Sequence, residues 1–141
     1  MEEFLFKAQV KYNGNYLFAG DFVEGSLIIK TTGHFIYVIE KDELDNVIRE
    51  FEVEVIPETI VQFIGLCDKN GNKIFNKSTL NDKMGSIVTV SYGEFDAGRD
   101  DYGVNYMPLG FHVIFSDGGK YCINKYGDGY AISASECEII K

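Results

Sequence analysis

Apolar and polar residues alternate with a period of two through most of this chain, and turns rich in Gly and Asn interrupt the alternation. Side chains on a β-strand point to alternate faces, so the pattern predicts antiparallel strands joined as hairpins. At 141 residues, with 45% apolar and 14% aromatic residues, the chain can bury a core without disulfides or metals. We therefore predict a single mostly β domain over residues 1–141, or a β-rich α+β fold at most. Any division into lobes is expected at 1–56 and 57–141.

Four pairs of strand-like segments flank turn residues that favour tight reversals. In chain order, the predicted pairs are residues 4–12 with 16–22, 26–31 with 35–40, 60–67 with 73–75, and 111–115 with 121–124. Asn13-Gly14-Asn15 is the predicted turn of the first pair, and Asn70-Gly71 lies in the turn of the third.

The segments between these hairpins are less regular. Residues 41–51 also fit helical spacing, but residues 50–55 alternate strictly, which predicts a polar connection at 42–46 and then a strand that ends at Pro57. Residues 76–85 are predicted to form a loop or a short helical turn, and residues 86–92 a strand. A long loop is expected at 93–108, and a final strand at 131–133 that residues 137–139 continue.

The charge of the chain limits its partners. The net charge is −9, from 22 acidic and 13 basic residues, with most of the acidic excess in residues 1–70. Such a surface repels phosphate backbones and anionic lipids, so neither nucleic acid nor a membrane is an expected partner. No window approaches the roughly 18 to 20 apolar residues of a membrane span, and residues 1–10 lack a secretion signal. With three widely spaced cysteines, Cys67, Cys122 and Cys137, we expect a soluble protein of a reducing compartment.

Asp68-Lys69-Asn70-Gly71-Asn72 resembles the start of a calcium-binding loop. Its Gly comes two positions early, and Thr79 stands where a bidentate Glu is required. We interpret the segment as a plain hairpin turn.

The acidic segment 94–101 is the second metal candidate. Its carboxylates belong to Glu94, Asp96, Asp100 and Asp101. Oxygen ligands are what Ca²⁺ and Mg²⁺ select, so these groups can surround a cation, but a solvated acidic loop fits the overall charge better. A metal-assisted hydrolase built on them is the remotest function considered, and we predict no metal-binding residue.

No catalytic pattern emerges from the rest of the chain. His34 and His112 have no second His, Cys or carboxylate at ligand spacing, and they are interpreted as a turn residue and a strand residue. No nucleophile signature surrounds Cys67 or Cys122. Gly127-Asp128-Gly129 lacks the lysine and the helix of a phosphate-binding loop. We predict no catalytic residue, no cofactor-binding residue and no cofactor, and therefore a protein that is not an enzyme.

Aromatic residues cluster in and around the long loop. They are Tyr92, Phe95, Tyr102, Tyr106 and Phe111. Packing of the loop over the sheet is the favoured interpretation, and an exposed binding surface is the alternative.

Several of these segments resemble, in order, the YopX family of small phage and prophage proteins. The most specific is the run from Pro57 to Phe75, PETIVQFIGLCDKNGNKIF. Phe6 to Ala8 and Tyr16 to Gly20 resemble the start of the family, and Ser133 to Ile140 its end. Two departures stand out: Asn76-Lys77-Ser78 replaces the usual Glu-Gly-Asp step, and the family usually runs a few residues past Lys141.

The resemblance implies a β-rich fold with a small SH3-like, barrel-type part after the Asn-Gly hairpin, a phage or prophage origin, and self-association. It carries over no catalytic or ligand-binding residue. Our leading hypothesis is a non-enzymatic accessory protein of a phage or prophage that contacts a phage or host protein in the bacterial cytoplasm. The alternative is a nucleic-acid-associated small barrel, which a basic, aromatic-lined groove would favour.

A homo-oligomer is also expected, with subunits meeting partly through exposed strand edges. Unpaired backbone groups at such edges must be covered, blunted or paired. The chain has only two prolines, Pro57 and Pro108, and neither falls within a predicted strand. Residues 26–31 are a candidate edge, because the apolar run Leu27-Ile28-Ile29 would face water on both sides.

Overall fold

A computed structural model describes residues 5–95, 109–127 and 131–140 of the chain. The chain forms two compact units, which we call the N-terminal unit (Met1–Phe63) and the C-terminal unit (Ile64–Lys141). Several residues singled out in the sequence lie outside the described ranges, namely Asp96, Asp100, Asp101, Tyr102, Tyr106, Asp128 and Gly129.

The described residues contain twelve strands, two 3₁₀ turns and no α-helix, which confirms the mostly β prediction. The 3₁₀ turns are Pro57–Thr59 and Ala134–Glu136. None of the described helices is long and apolar enough to cross a membrane. The strands are β1 (Phe6–Gln9), β2 (Phe22–Lys30), β3 (Gly33–Lys41), β4 (Val47–Glu54), β5 (Val61–Cys67), β6 (Lys73–Phe75), β7 (Thr79–Asn81), β8 (Ile87–Glu94), β9 (Leu109–Phe115), β10 (Lys120–Asn124), β11 (Ile132–Ser133) and β12 (Glu138–Ile139).

The N-terminal unit is a curled antiparallel sheet in the order β4-β3-β2-β1, with the start of β5 beside β1. Its two ends meet, because Val10 bridges to Val55 and the Lys11 N–H donates to the Glu54 carbonyl at 3.0 Å. This curvature is of the expected barrel type. The curled sheet nevertheless precedes the Asn70-Gly71 hairpin, whereas the expected barrel-type part follows it. The side chains inside the curl are Ala8, Val10, Val23, Ile36, Val38 and Val55.

Gly25 is the point at which the sheet of the N-terminal unit bends. Strand β2 pairs with β1 up to Gly25 and with β3 from Ser26 onward. A Cβ atom at Gly25 would lie 2.1 Å from the Tyr37 carbonyl oxygen and 3.0 Å from the Ile36 side chain. Only a residue without a side chain allows the two strands to approach this closely.

The C-terminal unit contains a second sheet in the order β11-β10-β9-β8-β7-β12, and the end of β5 is followed by β6. All its described pairings are antiparallel except that of β10 with the short β11. The core consists of fully or almost fully buried side chains, with partly buried Ile64, Leu66, Phe115 and Ile123 among those packed on it. The buried side chains are Ile74, Leu80, Val88, Val90, Val113, Ala134 and Cys137.

Three hairpin loops are built in the same way, each beginning with an aspartate: Asp42, Asp68 and Asp82. In each loop, the first N–H donates to the fifth carbonyl and the fourth N–H donates back to the Asp carbonyl. The Asp carboxylate accepts the third and fifth N–H groups. The fourth residue has a positive φ in all three loops, and only the first loop has a residue other than Gly there, Asp45.

Most predicted hairpins are confirmed. The strand pairs β2–β3, β5–β6 and β9–β10 match the predicted segments, and β4 follows a polar connection at 42–46 as expected. Gly71 has a positive φ, and its N–H donates to the Asp68 carbonyl at 3.0 Å, as the turn assignment requires. The predicted final strand is interrupted by the 3₁₀ turn between β11 and β12.

Two predictions about local structure are wrong. The segment 76–85 was expected to be a loop or helical turn, but it contains strand β7, which pairs with β8 and β12. The first hairpin does not turn at Asn13-Gly14, since β1 ends at Gln9 and β2 begins at Phe22, and Tyr16 to Phe18 are not a strand. The reason is the Val10–Val55 bridge, which draws the end of β1 to β4 rather than to residues 16–22.

Candidate functional site

An open groove of about 480 Å³ lies in the N-terminal unit, between the loop that joins β1 to β2 and strand β4. We call it the β4 groove, and we call residues 11–21 the aromatic loop. Its volume falls in the range of ligand-binding pockets, about 300 to 1,000 Å³. The groove is lined by Val10, Tyr12, Gly14, Asn15, Tyr16 and Leu17 on one side and by the successive residues Arg49 to Val53 on the other.

Hydrogen bonds fix the shape of the aromatic loop. The Gly14 N–H donates to the Leu17 carbonyl at 2.7 Å, and the Gly20 N–H donates to the Val10 carbonyl at 2.9 Å. The Asn13 and Asp21 side chains accept the N–H groups of Ala19 and Phe18, at 2.9 and 2.8 Å. Leu17 packs against the core of the unit. The loop is therefore held in place before any partner arrives.

The aromatic side chains of this loop face solvent. Tyr12 is 61% exposed and Tyr16 is 77% exposed, and Phe18 and Phe22 are exposed to a similar extent. Four large aromatic residues exposed within eleven positions exceed what a solvated loop requires, because each leaves apolar area in water. Tyr and Phe are also residues on which protein interfaces concentrate their binding energy.

Arg49 connects the two sides of the groove. Its guanidinium donates two hydrogen bonds to the Glu40 carboxylate, at 2.7 and 3.0 Å. It also lies 5.1 Å from the ring centroids of both Tyr16 and Phe51, which is cation–π distance. The hydrogen bonds to Glu40 raise the pKa of Arg49 above its ordinary value, more than partial burial lowers it. Glu40 therefore neutralises the Arg49 guanidinium, which lies against the Tyr16 and Phe51 rings.

Strand β4 presents a free backbone edge to the groove. The Val55 N–H donates to the His34 carbonyl of β3, whereas the Glu54 carbonyl points the other way and accepts from Lys11. Because successive residues of a strand point their backbone groups to opposite sides, those of Glu50 and Glu52 face away from β3. Among the described residues these groups have no backbone partner.

The outer face of β4 carries three glutamates, as the alternation predicted. The Glu52 carboxylate pairs with Lys30, and Glu54 pairs with Lys11 at 3.1 Å. Glu50 accepts a hydrogen bond from the Tyr37 hydroxyl, which raises the pKa of that phenol. No Lys or Arg of the described chain lies within salt-bridge distance of Glu50, so its charge is not neutralised there.

Most of the metal candidates predicted in the acidic segment lie outside the described chain. Glu94 is the last residue of β8, and its predicted partners lie outside the described residues. No group of three or more His, Cys, Asp or Glu side chains suited to a metal occurs within residues 5–95, 109–127 and 131–140. The prediction that the chain binds no metal stays a prediction.

Asp68 is a buried structural residue. One of its carboxylate oxygens accepts the N–H groups of Asn70 and Asn72, both at 2.9 Å, and the other accepts the Ile139 N–H at 3.1 Å. Burial acts to raise the pKa of Asp68, but these hydrogen bonds outweigh it and hold the pKa below its ordinary value. Asp68 thereby ties its hairpin loop to β12, a contact that the sequence pattern did not indicate.

The two histidines lie apart. His112 is buried in β9, where its ring stacks on Phe95 at 4.3 Å between centroids and Nδ1 lies 3.1 Å from the Gly110 carbonyl. This agrees with its interpretation as a strand residue. His34 was interpreted as a turn residue, but it lies within β3, because the turn is confined to residues 31–32.

The three cysteines are free thiols in different environments. Cys67 is exposed and Cys122 is half-buried, whereas Cys137 is buried and its thiol lies 3.2 Å from the Ser133 carbonyl. Burial, with the nearby negative charges of Asp82 and Glu136, raises the pKa of Cys137 to about 11. Cys137 therefore stays a protonated core residue at neutral pH.

The predicted aromatic cluster is described only in part. Tyr92 packs edge-to-face on Phe111 at 5.0 Å, and Phe95 is buried against His112. These contacts follow the packing interpretation. The aromatic loop was missed as a site because its aromatics were assigned to a hairpin, although four aromatics within residues 12–22 were a visible signal.

Comparison with protein families gives a match. The family model described as YopX protein matches residues 6–133, nearly the whole chain. No curated protein and no solved structure matches the chain. The matched range includes the aromatic loop, β4 and the Asn70-Gly71 hairpin. The chain belongs to the YopX family.

Proposed function

We propose that this protein is a phage or prophage accessory protein that acts without catalysis, by binding a segment of another protein in its β4 groove. Membership of the YopX family supports a phage-type protein. The bacterial cytoplasm is its proposed location, and a phage or host protein its proposed partner.

The observation that carries this proposal is the exposure of Tyr12 and Tyr16 on a loop that hydrogen bonds hold rigid. A mobile loop would lose entropy on binding, whereas this loop already has its shape. The aromatic rings offer apolar area to a partner, and Arg49 fixes the Tyr16 side of the groove. These are the features of an interaction hot spot.

The charged groups of the groove support a binding role rather than a catalytic one. Arg49 is engaged by Glu40, and Lys11 by Glu54. General acid–base catalysis needs a titratable group whose pKa is near the working pH and which reaches the substrate. Arg49, the arginine that lines this groove, serves instead to hold its two sides.

The alternative, a nucleic-acid-associated small barrel, would require a basic groove. The β4 groove is aromatic, but its one arginine is neutralised by Glu40, and β4 adds Glu50 and Glu52. Nucleic-acid affinity depends on unneutralised Lys and Arg that displace counterions from phosphates. The acidic strand favours a protein segment as the ligand.

Selection from displayed random peptides against the full chain tests the proposal. The selected peptides are then measured by calorimetry against the native chain, Tyr16→Ala and Tyr121→Ala. Tyr121 is an exposed tyrosine of the C-terminal unit and serves as the matched control. We expect Tyr16→Ala to weaken binding about tenfold or more and Tyr121→Ala to leave it unchanged.

Two results would overturn the proposal. One is a selection that yields no peptide specific for the native chain, and the other is equal affinity for native protein and Tyr16→Ala. Fluorescence anisotropy with labelled single-stranded and duplex DNA at physiological salt forms the second arm. Binding of either DNA that Tyr16→Ala weakens would favour the nucleic-acid alternative.

A further inference from the structure

We infer that the occupant of the β4 groove is an extended segment of another protein, which adds to the free edge of β4 as an antiparallel strand with apolar residues alternating with Lys or Arg. This inference rests on the proposed function and specifies its ligand. Strand addition at a sheet edge is a common way for a domain to bind a peptide.

The backbone of β4 has hydrogen-bonding groups that can pair with an added strand. Glu50 and Glu52 direct their N–H and C=O groups away from β3, along the side on which the groove lies. An unpaired strand edge of this kind is a template for another strand unless it is blunted or covered. Pro57, the proline nearest in sequence, lies beyond β4, so proline does not block this edge.

The side chains of β4 determine which residues of the occupant are apolar and which are basic. Phe51 and Val53 point to the inner face, where they pack against the core of the N-terminal unit. An occupant residue on that face meets Phe51, Val53 and the Tyr16 ring across the groove. Arg49 lies on the same face, but its charge is already paired with Glu40, so an apolar occupant residue fits there. The next residue of the occupant points to the opposite face, alongside Glu50 or Glu52.

Charge determines the identity of these outer residues. Glu52 already pairs with Lys30, but Glu50 is bonded only to the neutral Tyr37 hydroxyl. A Lys or Arg placed opposite Glu50 completes a cross-strand ion pair, whereas an acidic residue there would be repelled. The net charge of −9 adds long-range attraction for a basic segment.

The same charges argue against a second copy of the chain as the occupant. Pairing of two β4 strands would set Glu50 and Glu52 of one copy against the glutamates of the other. Like charges directly opposite each other on a sheet are destabilising. The predicted homo-oligomer stays a prediction, and β4 is not the edge that serves it.

Synthetic peptides in which Val alternates with Lys, and matched peptides in which Val alternates with Glu, are the probes. Calorimetry with the full chain is expected to give affinity about tenfold or more higher for the Lys peptide. Glu50→Lys should reverse this preference, while Glu43→Lys, an equal charge change in the exposed loop before β4, should leave the Lys peptide preferred. Preference for the Glu peptide, or no effect of Glu50→Lys, would overturn the inference.

N-methylated peptides test the pairing itself. In an antiparallel pair, the residue opposite Glu50 shares its face and directs its N–H at β4, so this residue is a Lys of the probe. Methylation of the Lys amides should abolish binding, and methylation of the Val amides should be tolerated. The reverse dependence, or none, would overturn strand addition.

Failure of the inference can be distinguished from failure of the proposed function. If display-selected peptides bind and depend on Tyr16, but no designed peptide binds or the dependence on N-methylation is absent, the groove binds proteins in another way. The inference is then wrong and the proposed function stands. If neither selected nor designed peptides bind, both are wrong.

Discussion

The two units use their exposed aromatic residues differently. In the N-terminal unit, Tyr12, Tyr16 and Phe18 are exposed in the aromatic loop, and Phe22 is exposed at the start of β2. In the described part of the C-terminal unit, the exposed aromatics are spread over separate segments. There, Tyr92 packs on Phe111 and Tyr121 packs on Phe115. A cation lies over an exposed ring in both units, as Lys11 does over Tyr12 and Lys125 over Tyr126.

This difference matches the proposed binding role of the N-terminal unit. In the N-terminal unit, aromatic area remains available beside a free strand edge. Loops of both units are closed by internal hydrogen bonds, and in the C-terminal unit the Asp68 loop is also bonded to β12. Stable scaffolds that carry a rigid recognition loop are a common arrangement in binding proteins.

The largest expected effect on stability is at Gly25, where the sheet of the N-terminal unit bends. Gly25→Ala places a Cβ atom 2.1 Å from the Tyr37 carbonyl oxygen, so backbone must move. We expect a loss of about 3 kcal/mol in the free energy of unfolding, measured by urea denaturation. Gly14→Ala is the control, because its Cβ would meet nothing closer than 3.6 Å. Equal stability of the two variants would show that the curl does not depend on Gly25.

In the C-terminal unit, a substitution of Asp68 tests the hydrogen bonds of its carboxylate. In Asp68→Asn, an amide NH₂ replaces one of the two carboxylate oxygens that accept backbone N–H groups. The buried amide NH₂ would then face a backbone N–H, and we expect this to lower the free energy of unfolding by about 2 kcal/mol, measured by urea denaturation. Asp82→Asn is the matched control, because Asp82 has the same loop but uses only one carboxylate oxygen for the loop N–H groups. A similar cost for both variants would contradict the role of the bond to Ile139.

Low pH should weaken the hydrogen bonds that the Asp68 carboxylate accepts. The pKa of Asp68 is lowered in the folded protein, so its carboxylate contributes stability above the unfolded pKa of about 3.9. That contribution is lost as the pH falls through the lower folded pKa. The stability difference between native protein and Asp68→Asn should therefore shrink as the pH falls below about 4. Urea curves at several pH values test this, and a constant difference would refute it.

The smallest expected effect is at Asp45. It has a φ of 66° at the loop position where Gly71 and Gly85 stand in the C-terminal unit. Asp45→Gly removes the strain of a side chain in that region and should stabilise the protein by about 0.5 kcal/mol. Gly85→Asp is the reverse change and should cost a similar amount. If both variants were destabilised in thermal melts, the loops would not be equivalent.

Local sequence patterns predicted much of the fold. The alternation at residues 50–55 identified β4 and its glutamate face, and Asn70-Gly71 identified a hairpin loop whose Gly71 has a positive φ. These elements depend on side-chain period and on turn chemistry, which neighbouring residues determine. The bridge from Val10 to Val55 joins residues far apart in sequence, and no local pattern indicates it.

The candidate site could not be predicted because it depends on that bridge. Once Val10 meets Val55, residues 11–21 become a loop instead of a hairpin, and Tyr12 and Tyr16 face solvent. Strand β7 was missed for a related reason, since Thr79–Asn81 is short and is defined by its partners β8 and β12. Tertiary pairing decided both segments against their local appearance.

Chemical-shift mapping tests most directly whether the N-terminal unit carries the binding surface. Amide spectra of the full chain would be recorded with and without a display-selected peptide. We expect shifts concentrated in residues 11–21 and in β4, and slower hydrogen exchange of the Glu50 and Glu52 amides. Shifts centred instead on the exposed tyrosines of the C-terminal unit, Tyr121 and Tyr126, would contradict this expectation.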